Sequence, residues 1–125
     1  MRQIEIRAGK VHILGELDES HTADAIWEAL PLSAQANTWG EEIYFSIPVK
    51  LEADNPRAVV SLGDLGYWPP GTAFCIFFGR TPVSRGNEIR PASPVNVFGR
   101  IRGALEGLRE VQDGETVNIR RVEES

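Results

Sequence analysis

The chain has 125 residues, 42% hydrophobic and 25% charged, a length and composition suited to one ordered domain with a single core and unlike that of a disordered chain. Thirteen basic residues against eighteen acidic ones leave a net charge of −5, so general attraction to polyphosphate has no basis and nucleic acid is excluded as a default partner. The single cysteine, Cys75, allows no internal disulfide and fits a reducing cytoplasm; neither an apolar stretch of membrane-spanning length nor the apolar core of a signal peptide stands in the sequence.

Residues 3–7 and 10–17 alternate as strands, with Ala8-Gly9-Lys10 as the hairpin turn between them. Ser20 then caps a predicted helix whose Ala23, Ile26, Trp27 and Leu30 form one apolar stripe, and Pro31 stands where a helix should stop. Residues 32–39 return to strand, Gly40-Glu41-Glu42 reads as a turn, and residues 43–47 run back as the hairpin partner. Residues 51–57 read as a surface loop, and 59–62 as a short strand or extended stretch before Gly63-Asp64-Leu65-Gly66, which leads into an aromatic-proline turn.

Tyr67-Trp68-Pro69-Pro70-Gly71 has the proline-before-glycine order of a type II turn and leads into the apolar run from Thr72 to Phe78. A run apolar on both parities implies a strand covered on both faces, with one parity filling a barrel and the other lying under a helix or lining a groove. Phe74, Ile76 and Phe78 make one parity, and Ala73, Cys75 and Phe77 the other. Cys75 is therefore expected to be a buried, inert thiol.

Residues 81–94 form a proline-rich loop. Residues 95–101 follow as a strand, residues 105–108 as a helical turn, and residues 116–122 as a last strand. Roughly eight strands with one clear helix point to a mainly β, closed barrel.

Signals for chemistry are sparse. His12 falls in a strand and His21 at a helix start, with no partners at ligand spacing, so no metal or other cofactor is expected. Ser84 and Ser93 lie in loops outside any nucleophile elbow, and no glycine-rich phosphate loop precedes a helix. As neighbours, Glu41 and Glu42 would point to opposite faces of a strand and read as solvated turn charges rather than a catalytic dyad. The aromatic set Trp39, Tyr44, Phe45, Tyr67, Trp68, Phe74, Phe77 and Phe78 either plugs the barrel ends or lines an apolar pocket with a polar handle.

Pro94-Val95-Asn96-Val97-Phe98-Gly99-Arg100-Ile101 resembles the late strand of cyclophilins, and Gly66 to Phe78 resembles the strand that bears their pocket phenylalanines. The order Ala29-Leu30-Pro31, Trp39-Gly40-Glu41-Glu42-Ile43-Tyr44-Phe45, Gly63-Asp64, Tyr67-Trp68, Cys75-Ile76-Phe77-Phe78-Gly79 and Val97-Phe98-Gly99 is more similar still to a shorter group, the atypical cyclophilin-like proteins of prokaryotes, whose function is not established. The likeness runs over nearly the whole chain and implies an eight-stranded barrel with one or two capping helices.

The resemblance to cyclophilins implies prolyl isomerisation, in which an arginine polarises the prolyl amide and phenylalanines bind the proline ring. Here residues 32–47 contain no arginine, Ala73 stands where the family strand carries glutamine, and Val95 stands where the late strand begins with histidine. The expected function is a binding module for a proline-containing peptide or small molecule, with a weak isomerase and an assembly protein as alternatives. Its groove candidates are Gln35, Asn37, Glu42, Tyr44, Trp68, Phe74 and Phe77.

Overall fold

The computed structural model describes residues 2–122, so Met1 at the head of the N-terminal strand pattern lies outside the described residues. The chain runs β1 (Gln3–Ala8), β2 (Val11–Leu17), α1 (His21–Ala29), β3 (Leu32–Gln35), β4 (Asn37–Thr38), β5 (Glu42–Ser46), β6 (Asp64–Trp68), β7 (Ala73–Phe77), β8 (Asn96–Arg102) and β9 (Thr116–Arg121), with short 3₁₀ turns at Pro69–Gly71 and Glu106–Glu110. All nine strands belong to one sheet, in the order β3-β9-β1-β2-β8-β6-β7-β5-β4.

The outermost strands in that order, β3 and β4, are consecutive in sequence, and this closes the sheet on itself. Leu32 to Gln35 pair with β9, and two residues later Asn37 and Thr38 pair with β5. The bend is at buried Ala36, whose N–H donates to the Glu115 carbonyl at 2.8 Å and whose carbonyl accepts from the Gly114 N–H at 2.8 Å. Thr38 is tied to the same turn through its N–H and hydroxyl, both donating to Asp113 Oδ1 at 2.7 and 2.8 Å. Counted as one bent strand, β3 and β4 make the nearly closed barrel eight-stranded.

The opening hairpin turns at Gly9, whose φ of 58° suits a residue without Cβ. At α1, the Ser20 hydroxyl accepts from the Ala23 N–H at 3.1 Å and so satisfies one of the free donors of the first turn. Ala23 and Ile26 point to the core, and the other helix end is held by Arg121, which donates twice to the Trp27 carbonyl and lies 4.8 Å from the centre of its ring.

Residues 63–66 divide between a turn and a strand: the Asp64 N–H donates to the Ser61 carbonyl at 3.0 Å across Gly63, whose φ is 86°, and Asp64 opens β6, which pairs with β7 on one side and β8 on the other. Leu65 and Tyr67 point into the barrel, while Gly66 faces outward at a register shift. No side chain fits there, since a Cβ on Gly66 would meet Val95 Cγ2 at 2.8 Å. The turn read at Tyr67–Gly71 is present, but as the 3₁₀ residues Pro69–Gly71 with Thr72 in the left-handed region at φ 45°, rather than as a type II turn with its glycine there. Residues 59–62 contribute only a bridge between Val60 and Ile89.

The two parities of β7 divide between two cores. Phe74, Ile76 and Phe78 join the barrel interior, where the Phe74 ring stacks on Phe45 (centroids 5.1 Å apart) and meets Phe98 edge-on at 5.1 Å. Ala73, Cys75 and Phe77 join Val60, Ile89 and Val95 in a second cluster on the outer face, where residues 79–95 cover the sheet.

Candidate functional site

The outer face of β5, β7 and β6 carries a concave site. On β5, Ile43 and Phe45 point into the barrel, so Glu42 and Tyr44 point out together. On the middle strand Cys75 is buried outside the lining, with Tyr44 and Gly66 as its cross-strand partners, and Trp68 rises from the far strand. Trp39 enters from the turn before β5, and Pro91, Ala92 and Val95 of the covering loop complete a pocket of about 140 Å³.

Its walls are fixed by specific contacts. Trp68 Nε1 donates to Ser93 Oγ at 2.6 Å, pinning the loop to the sheet. The same indole lies against Gly71, where a Cβ would come within 2.7 Å of the ring. Val95 and Arg57 exchange backbone hydrogen bonds of 2.8 and 3.1 Å, which anchors the end of the loop. At its start Ser84 Oγ accepts from the N–H groups of Thr81 and Arg90, at 3.0 and 3.1 Å, and the buried Thr81 hydroxyl donates to the Arg90 carbonyl. Ser84 and Ser93 thus organise the loop that roofs the pocket.

Glu42 is the unusual group. It is the first residue of β5, only 5% exposed, and its Oε1 has no hydrogen-bond partner among the described residues. Burial, opposed only by a hydrogen bond from the Cys75 thiol, pushes its pKa up to about 7. Cys75 is driven up in turn, first by its own burial and then by the neighbouring carboxylate, so it stays a thiol. Glu41 points elsewhere, pairing with Arg109 at 2.7 Å. The adjacent acids are not a dyad.

Of the sequence candidates, Glu42, Tyr44 and Trp68 come together in the pocket, and Phe77 lies fully buried in the cluster beside it. Phe74 does not reach it, because the pleat turns that side chain into the barrel. Gln35 is exposed at the end of β3, where it pairs with Thr116, and Asn37 is exposed on β4, its side chain 3.4 Å from the Tyr44 carbonyl. Neither lines the pocket. Sequence reasoning left out Pro91, Ala92 and Val95, which only the folded loop brings over the sheet, and counted Trp39 among the aromatics without assigning it to the groove.

Other clusters are surface networks. His12 Nε2 lies 3.0 Å from Glu5 Oε2, and the same carboxylate pairs with Arg120 and Arg7. Among the described residues no group of three or more His, Cys, Asp and Glu is arranged to hold a metal ion, and no helix is long and apolar enough to cross a membrane.

Comparison with known proteins gives a consistent assignment. The family model described as cyclophilin-like matches residues 2–120. The solution structure of the hypothetical protein AF2241 from Archaeoglobus fulgidus is 47% identical, superposes with a TM-score of 0.83, and is matched over 97% of this chain and 95% of that one. A search of curated proteins returned no match. With the barrel, the capping helix and these two likenesses in hand, the chain belongs to the cyclophilin-like family.

Proposed function

We propose that this cyclophilin-like domain is a binding module that takes one small organic group in the pocket between Trp39, Glu42, Tyr44 and Trp68. The observation that carries the reading is a buried carboxyl oxygen without a hydrogen-bond partner in the lining of an otherwise aromatic and aliphatic pocket. Native structures leave few such atoms without cause, and convergent polar groups in an apolar recess are the ordinary form of a ligand site. The volume of about 140 Å³ compares with the roughly 150 Å³ cavity that admits one benzene. A single ring fits; an extended peptide does not.

Isomerase chemistry has less support. The lining contains no arginine, and Phe74 belongs to the barrel interior. A binding module accordingly leaves the cis–trans exchange rate of an alanine-proline peptide unchanged. The direct test is a set of monocyclic fragments screened by protein NMR, with the indole N–H signals of Trp39 and Trp68 as reporters. Shifts confined to these and to residues 91–95 support the pocket; a set that leaves them all unmoved overturns it.

A further inference from the structure

The chemistry of the pocket specifies its occupant more narrowly. We infer that the preferred ligand is a small protonated ring amine, held by a charge-assisted N–H hydrogen bond to Glu42 Oε1 with its ring between Trp39, Tyr44 and Trp68. This rests on the pocket reading above and adds the class of ligand.

Three observations converge on it. Glu42 is 95% removed from solvent, and its unpartnered oxygen calls for a donor. Among the described residues no lysine, arginine or histidine lines the pocket, so its lining offers the carboxylate no counter-charge and leaves that place to the ligand. Two tryptophans and a tyrosine form the walls, and aromatic rings are the side chains that attract organic cations by their π electrons while burying an apolar body. An anionic ligand would meet the same carboxylate as a like charge, and a purely apolar ring would leave it unpaired. A quaternary ammonium has no N–H to give.

The other titratable groups at the site do not compete for this role. Cys75, on β7, meets Glu42 through a buried thiol, and Tyr44 stands beside it on β5. Arg109 is engaged with the preceding residue, Glu41, at 2.7 Å. A ligand cation would therefore be the first positive charge to reach Glu42.

The experiment compares piperidine, added as its hydrochloride, with cyclohexanol, a ring of the same size whose donor is neutral. Both are titrated into the full chain at mildly alkaline pH and followed by NMR at Trp39, Tyr44 and Trp68, in wild type and in Glu42→Gln. The expected result is that piperidinium binds more tightly than cyclohexanol and that Glu42→Gln weakens piperidinium roughly tenfold or more while changing cyclohexanol little. The wild-type comparison stands even if the variant folds poorly. Cyclohexanol binding as well as piperidinium, or piperidinium indifferent to Glu42→Gln, overturns the ring-amine assignment and leaves the pocket reading intact. Silence from both rings overturns the assignment too, and the pocket reading falls with it only when the wider fragment set is silent as well.

Discussion

At Glu42, burial strips water from the carboxyl, and the only bond that opposes this comes from a thiol, a weak donor. Its pKa in the fold is about 7 against about 4.5 for the free side chain, so folding favours the protonated form. The stability this confers is complete below pH 4.5, drains away as pH rises through 7, and changes no further above that. The span is on the order of 3 kcal/mol. Urea denaturation across this range should therefore show wild type losing stability relative to Glu42→Gln, whose amide does not titrate; parallel curves would mean that the carboxyl is solvated. Glu5 shows the opposite case in the same side chain. Hydrogen bonds from Arg120 first, then His12 and Arg7, outweigh its partial burial and bring its pKa down to about 2. Its contribution is present above pH 4.5 and lost as pH falls toward 2.

At the scale of elements, the segment after β5 is held against the barrel by polar side chains on the inward parity of two strands. The Tyr67 hydroxyl, on β6, donates to the Val49 carbonyl at 2.6 Å and accepts from the Leu51 N–H at 3.0 Å. Asn96, opening β8, accepts from the Asp54 N–H and donates to the Glu52 carbonyl and the Thr22 hydroxyl. Two strands thus clamp residues 49–54 from one side. Tyr67→Phe keeps the buried ring but strands two backbone groups, a change expected to cost about 1–3 kcal/mol and to speed amide exchange at Leu51. A stability change near zero would mean that water replaces the hydroxyl.

These clamps also mark where the sequence stopped being legible. The alternation of β1, β2 and β9 and the Ser20 cap depend on neighbours a few residues apart and could be read directly. β6 could not: a glycine just before it and another inside it look like turn chemistry, whereas Gly66 is there because Val95, twenty-nine positions later in the sequence, needs the space. The pocket was legible only in part for the same reason. Glu42 stands among the groove candidates in the sequence and also reads there as a solvated turn charge, because nothing local shows that residues 91–95 come to cover it.

For the whole molecule, the barrel is a wall with two sides, and β7 supplies residues to both. Alternation along Ala73 to Phe78 was readable, including the division of its apolar residues into two sets, but which set faces the ligand depends on how the sheet closes through the bend at Ala36. The closure puts Phe74 inside, against Phe45 and Phe98, and leaves Trp68 outside over Gly71. Substitutions at these two aromatics should therefore separate folding from binding. Phe74→Ala opens a cavity in the packed interior and should cost about 3–5 kcal/mol, seen as a lower urea midpoint with the slope unchanged. Below that midpoint the folded fraction should still bind ring fragments as wild type does. Trp68→Ala, at a half-buried position, should lower stability less, while removing a wall of the pocket and the bond that pins Ser93, and so abolish ring binding. If Phe74→Ala instead weakened binding at full folding, the ligand would have to enter the barrel itself, and the assignment of the two faces of β7 would be reversed.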